Sequence, residues 1–123
     1  MTTDALARLR AICLALPGAT ERLSHGEPTW FVEDKRVFVT FADHHHEDRL
    51  AFWCAAPDGA QEALVASDPE RFFVPPYVGH RGWLGVRLDV PVDWDEIERI
   101  VREAWVVIAP ARLRARFGRP AAG

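Results

Sequence analysis

The segment with sequence RLAFWCA, residues 49–55, constrains the possible fold of this chain more than any other segment does. Side chains in a strand alternate between two faces, so a run that is apolar at successive positions is apolar on both. Such a strand needs cover on both sides, and we expect it at the centre of a sheet. Residues 29–33 and 36–42 are rich in Val, Phe, Thr and Trp, which favours strands. Asp34-Lys35 then forms a hairpin turn, and residues 43–48 form the tip of a second hairpin.

Helical patterns lie before, between and after these strands. The first helix presents one apolar face and ends at Pro17-Gly18. Residues 58–66 predict a short helix with Asp58 as its cap and Gln61 reaching back to the cap. The last long helix has Asp93 as its cap and Glu96 to complete a capping box. Its predicted buried face consists of Ile97, Ile100, Val101, Ala104, Trp105 and Ile108.

Two further strands are predicted at residues 72–78 and 83–89, on either side of a glycine-rich turn. The order is helix, three strands, helix, two strands, helix. Short connections between successive strands favour an antiparallel sheet with helices packed on it, an α+β fold in two layers. The length fits a single domain over residues 1–118, with residues 119–123 as a frayed tail.

Charge and composition exclude several classes of protein. The net charge is −3, although residues 104–123 contain four arginines and no acid. A negative net charge argues against strong general affinity for nucleic acid. No apolar run approaches 18 residues and no signal-peptide pattern is present, so we expect no membrane span and a cytoplasmic protein. Cys13 and Cys54 lie in apolar segments and are expected to be reduced, inert core thiols.

No motif in the chain predicts catalysis or a cofactor. There is no phosphate-binding loop and no dinucleotide-binding fingerprint. Ser24 and His25 are adjacent, but a nucleophile also needs a base within reach and a third group to orient that base. The run His44-His45-His46 is expected to be a solvated hairpin tip, because adjacent side chains point in different directions and rarely converge on one metal ion. We therefore expect neither an enzyme nor a metalloprotein, and no cofactor.

The block PPYVGHRGWLGVRLD, residues 75–89, is the candidate binding site. It places large flat side chains and cationic donors between glycines, which let the backbone turn or be approached closely. The candidate ligand- or DNA-binding residues are Tyr77, His80, Arg81, Trp83 and Arg87. In a strand from residue 83, Trp83 and Arg87 share the face opposite Leu84, Val86 and Leu88, which predicts an outer or cleft face. The alternative is that Trp83 is covered and Arg87 pairs with an acid.

The order of residues in several blocks resembles the MmcQ/YjbR family over nearly the whole chain. These blocks are LPGATERLSHGEPTWFV, KRVFVTF, AAPDGAQEALVASDPERFFVPPYVGHRGWLGVRLD and DWDEIERIVREAWVVIAPARL. The resemblance implies an α-β(3)-α-β(2)-α fold related to CyaY-like and secretion-chaperone-like architectures. It also implies a double-wing DNA-binding role for a bacterial-type protein. The wings would be residues 33–49 and the loop at residues 78–83, and the family supplies no catalytic residues to transfer.

Two functions follow as hypotheses. One is weak, mostly non-specific binding of double-stranded DNA, with phosphate contacts from Arg81, Arg87 and the C-terminal arginines. The alternative is a protein- or small-ligand-binding module that uses the same aromatic and arginine cleft without nucleic acid. Either function fits a monomer or a weak homodimer.

Overall fold

The computed structural model describes residues 2–43 and 49–117, and within them it gives an α+β fold with a six-stranded antiparallel sheet. Residues 44–48, the tip of the second hairpin with its histidine run, lie outside the described residues. The C-terminal tail, residues 118–123, also lies outside them. The elements are α1 (Thr2–Leu14), β1 (Ala19–Ser24), β2 (Glu27–Val32), β3 (Arg36–Asp43), β4 (Leu50–Cys54), α2 (Ala60–Ser67), β5 (Phe72–Phe73), a 3-10 turn (Gly79–Arg81), β6 (Leu84–Arg87), α3 (Trp94–Ile108) and α4 (Ala111–Phe117).

The sheet has the strand order β1-β2-β3-β4-β6-β5, and every neighbouring pair is antiparallel. All five residues of β4 are buried, and the strand lies between β3 and β6. The central position predicted for RLAFWCA is therefore confirmed. The predicted α+β class and the antiparallel sheet are confirmed with it.

Strand β1 was not predicted. Its sequence, ATERLS, lacks the alternation of apolar residues that identifies a strand, since it is an edge strand with few buried positions. It pairs with β2 through a two-residue turn in which His25 and Gly26 both have positive φ, 54° and 81°. Positive φ at both central residues is typical of a type I′ hairpin. The turn signal was His-Gly rather than the commoner Asn-Gly.

Helix α3 confirms the clearest sequence prediction. The Asp93 side chain accepts hydrogen bonds from the backbone N–H groups of Asp95 and Glu96. Its fully buried face comprises Ile97, Val101, Ala104, Trp105 and Ile108, with Ile100 half-buried. The second half of the predicted capping box is replaced by an ion pair, because the Glu96 carboxylate pairs with the Arg71 guanidinium instead. The indole Nε1 of Trp105 donates to the carbonyl of Pro17 at 2.9 Å, which joins α3 to the end of α1.

The predicted cap of α2 is wrong. The helix begins at Ala60, its N-cap is Gly59, and no side chain caps it. The Gln61 side chain instead donates to the carbonyl oxygens of Gly79 at 2.9 Å and Trp83 at 2.5 Å. A long-range pair of hydrogen bonds has thus replaced the local one that the sequence pattern favoured.

The two strands around the glycine-rich turn are shorter than predicted. β5 contains only Phe72 and Phe73, and β6 covers Leu84–Arg87. Pro75 and Pro76 cannot donate to a ladder, which ends β5 early. Gly85 has no side chain, and this allows the Phe73 ring to cover it: a Cβ on Gly85 would lie 2.4 Å from Phe73 Cε2. Residues 74–83 are therefore a loop beside the sheet.

Candidate ligand-binding cleft

One wall of the candidate site is the sheet face that points away from α1. In register across β2, β3 and β4, Thr29 lies opposite Thr40 and Thr40 opposite Trp53. Directly paired residues share a face. Trp30, next to Thr29, points to the other face, where its indole Nε1 donates to the Glu21 carboxylate at 2.9 Å and Arg10 of α1 binds the same carboxylate. Thr29, Thr40 and Trp53 therefore face away from α1.

Two threonine hydroxyls satisfy each other in this wall. Thr29 is buried, and its Oγ1 donates to the carbonyl of Glu27 at 3.0 Å. The Oγ1 atoms of Thr29 and Thr40 are 2.9 Å apart. Since a hydroxyl has one proton, Thr40 is the donor in that contact. The lone pairs of the Thr40 hydroxyl remain as acceptors.

The other wall is the loop that follows β5. Its 3-10 turn ends at Gly82, whose φ of 83° is one that glycine adopts without strain. The two Gln61 hydrogen bonds hold the carbonyls on either side of this turn. Arg81 and Trp83 are therefore carried on a segment fixed to α2 by an amide side chain.

Between the two walls is an open cleft of about 850 Å³, within the size range of sites for small organic molecules. Its lining is mostly apolar, with a few charged and hydroxyl groups. The lining residues are Ser24, His25, Glu27, Thr29, Arg36, Val37, Thr40, Phe41, Trp53, Tyr77, Val78, Arg81, Trp83 and Ile108.

Three of the five residues predicted as a site lie at this cleft: Tyr77, Arg81 and Trp83. Trp83 was predicted to begin a strand with its side chain on an outer or cleft face, with a covered indole as the alternative. It precedes β6 and is only 6% exposed, so the indole is largely covered, and it lies at the cleft. The Arg81 guanidinium carbon lies 5.6 Å from the centroid of the Trp83 ring. The indole is therefore part of the cleft wall, with a cation above it.

His80 and Arg87 do not line the cleft. His80 is exposed on the 3-10 turn. Arg87 follows the alternative in which it pairs with an acid: its Nε and Nη2 donate to the two carboxylate oxygens of Asp89 at 2.9 and 3.1 Å. This guanidinium lowers the pKa of the Asp89 carboxyl below its usual value and is itself occupied.

Tyr77 has a strained backbone. Its φ is +67°, and the N–H of Val78 donates to the carbonyl of Pro76 at 2.7 Å, which closes a three-residue turn around Tyr77. Turns of this kind with positive φ are rare and strained, and a bulky residue in them is an outlier. The side chain is nevertheless 71% exposed at the mouth of the cleft. Such outliers concentrate at functional sites.

Several residues that line the cleft could not be predicted from the sequence to lie together. Thr29, Thr40 and Trp53 belong to three different strands, and only the register places them together. Arg36 begins β3 and also lines the cleft. The alternation of Thr with apolar residues in β2 and β3 was the available sign that one sheet face is not packed by helices. His25, which the sequence places beside Ser24, lines the cleft.

Within the two described ranges, no group of three His, Cys, Asp or Glu side chains could hold a metal ion. No helix in those ranges is long and apolar enough to cross a bilayer. The buried thiols of Cys13 and Cys54 both have raised pKa values, chiefly because burial disfavours the thiolate. Neither is part of the cleft.

The fold and the cleft together define an α+β protein whose antiparallel sheet packs α1 on one face and forms one wall of an aromatic cleft on the other. The model of the YjbR family matches residues 14–107, so the chain belongs to the YjbR family. The predicted family resemblance is thus confirmed. The crystal structure of the Deinococcus radiodurans protein DR2400, with a DUF419 domain, is similar in fold: the TM-score is 0.72 and the identity 17%, over 94% of this chain and 88% of that one. No curated protein matches the chain.

Proposed function

We propose that this YjbR-family protein binds a small, largely apolar organic molecule in the cleft between the sheet and the 74–83 loop. The observation that carries the proposal is the convergence of Trp53, Trp83 and Tyr77 on a cleft of about 850 Å³. Sites for small molecules are concave, mostly apolar and equipped with a few polar groups that fix orientation. Aromatic walls favour a flat ring, which can stack on them or meet their edges.

Tyr77 adds a second argument, independent of the cleft volume. Keeping a tyrosine at positive φ costs about 1–2 kcal/mol relative to an ordinary backbone conformation. Its side chain is too exposed to return much of that cost through burial. At the entrance of the cleft, this ring offers an aromatic face to a bound molecule.

Binding of double-stranded DNA is the less supported candidate. Of the arginines expected to contact phosphates, Arg87 is occupied by Asp89, and Arg112 forms an ion pair with Glu33 at 2.5 Å. Arg114 donates to the carbonyl of Ala109 at 2.6 Å. Salt concentration separates the two functions: DNA affinity falls steeply with salt, whereas an apolar ligand is nearly indifferent to it.

A neutral fluorescent probe tests the proposal. N-phenyl-1-naphthylamine is aromatic and uncharged, and it fluoresces strongly in apolar surroundings. We expect saturable binding of one probe per chain. Tyr77→Ala should weaken this binding about three- to tenfold, since an aromatic contact contributes about 0.5–1.5 kcal/mol.

The matched control is Val107→Ser. Val107 is an exposed apolar residue of α3, 44% accessible, and does not line the cleft. The control should bind the probe as the unmodified protein does. No saturable binding, or binding lost in Val107→Ser and kept in Tyr77→Ala, would overturn the proposal.

A further inference from the structure

We infer that the ligand of this cleft is an organic acid, a planar apolar body that carries one anionic group held by Arg36 and Arg81. The inference rests on the proposed function and names the chemistry of its ligand. Arg36 and Arg81 both line the cleft. Guanidinium donors fit the oxygens of a carboxylate or a phosphate through paired hydrogen bonds.

Arg81 is placed by the loop that forms one wall. It lies on the 3-10 turn that Gln61 holds on both sides, and it stands over the Trp83 ring. It forms no ion pair with any residue in the described ranges. A molecule whose flat body contacts the aromatic wall therefore meets a cation directly beside that wall.

Arg36 is left available because its acidic neighbours in sequence have other partners. Glu33 pairs with Arg112, and the Arg112 guanidinium lowers the pKa of the Glu33 carboxyl. Asp34 accepts from the Arg22 guanidinium at 3.1 Å. Within the part of the chain that the structure describes, Arg36 has no ionic partner either. The two acids of the β2–β3 turn are thus paired with Arg112 of α4 and Arg22 of β1, and neither of them pairs with Arg36.

Other arginines of the protein differ from Arg36 and Arg81 in that they are paired with acids. Arg10, Arg71 and Arg87 each form an ion pair with a carboxylate within 2.9 Å. Among the residues that the structure describes, Glu27 at the start of β2 is the acid that lines the cleft, and its carboxylate accepts from the backbone N–H of Asp43 at 3.1 Å. Apart from His25, the ionisable side chains of the lining that the structure describes are Arg36, Arg81, Tyr77 and Glu27, so two arginines face one carboxylate. Its electrostatics therefore favour an anion.

Two probes that differ by one anionic group test the inference. 1-Anilinonaphthalene-8-sulfonate is N-phenyl-1-naphthylamine with a sulfonate added. We expect the sulfonate probe to bind at least threefold more tightly than the neutral probe in low salt. This preference should fall as salt rises, because exposed charges are screened.

The variants Arg36→Ala and Arg81→Ala should each weaken binding of the sulfonate probe about three- to tenfold and change binding of the neutral probe less than twofold. The control is Arg99→Ala, which removes an exposed arginine of α3 outside the cleft. It should leave both affinities unchanged. Displacement of the sulfonate probe by 1-naphthoate or by 1-naphthyl phosphate then tells whether a carboxylate or a phosphate is preferred.

The failures are distinguishable. If the neutral probe binds in the cleft and the added sulfonate does not raise the affinity, the ligand is not an acid and the proposed function stands. If the neutral probe does not bind at the cleft, the proposed function itself is wrong. If the sulfonate probe binds equally well to both arginine variants and to the unmodified protein, its anion is held elsewhere and the inference fails.

Discussion

Replacing Tyr77 by glycine and by alanine measures the backbone strain that we associate with the cleft. Both substitutions remove the ring and every contact of the side chain, so the difference between them depends on the backbone at this position. At positive φ, an alanine costs about 1–2 kcal/mol because of its Cβ. Glycine avoids that cost and loses about 0.5–1 kcal/mol through the extra freedom of its unfolded chain. We therefore expect Tyr77→Gly to be more stable than Tyr77→Ala by about 0.5–1 kcal/mol.

The assay is urea unfolding followed by tryptophan fluorescence and by circular dichroism, with the two variants compared at equal protein concentration. The same pair should lose affinity for N-phenyl-1-naphthylamine equally, because both lack the ring. At ordinary helix or strand positions alanine is the more stable of the two. If Tyr77→Ala unfolds at the same or a higher urea concentration than Tyr77→Gly, the backbone at residue 77 is not strained. Backbone strain at Tyr77 would then no longer support a binding site at the cleft.

Three further predictions concern the body of the fold. Trp105→Ala should lower the free energy of unfolding by about 3–5 kcal/mol in urea titrations, because a fully buried indole leaves a cavity and the Pro17 carbonyl loses its donor; a midpoint within error of the unmodified protein would contradict this. Cys13 and Cys54 should not react with a thiol reagent at pH 8 until the protein unfolds, since both are buried with raised pKa values; rapid native-state labelling would show that the core opens easily. Hydrogen bonds from the Arg10 guanidinium lower the pKa of Glu21 in the folded protein, so its stabilising effect should be complete above the unfolded value of about 4.3 and be lost as the pH falls through the lower folded pKa. Urea midpoints measured between pH 7 and pH 3 should therefore fall less steeply for Glu21→Gln than for the unmodified protein, and parallel curves would refute this origin.

Sequence patterns within a single segment correctly predicted those parts of the fold that depend on interactions within that segment. The Asp93 cap, the apolar stripe of α3 and the doubly apolar β4 all follow from periodicity within one segment, and the structure has each of them. The sequence predictions were wrong where a side chain forms its hydrogen bonds with residues distant in sequence instead of with its own helix end. Gln61 leaves its own helix end for the carbonyls of Gly79 and Trp83, which sequence spacing cannot foresee.

Of the two walls of the cleft, only the one formed by the loop at residues 74–83 could be predicted from the sequence. Tyr77, Arg81 and Trp83 lie close together in the chain, and the glycines around them indicated a surface loop. The opposite wall is built by strand register, which brings Thr29, Thr40 and Trp53 from three strands into one row. The position of Trp83 also depends on tertiary packing, because the residue lies one position before β6 rather than in the strand that the sequence predicted.

The most direct test of the central claim is to locate a bound aromatic acid on the protein. Backbone amide and indole shifts in two-dimensional NMR can be followed during a titration with 1-naphthoate. We predict that the largest changes occur at Arg81, Trp83 and Thr40, on the two walls of the cleft. Changes confined to the exposed apolar residues Leu14, Val106 and Val107, or an absence of saturable changes, would contradict the claim that this cleft is a binding site.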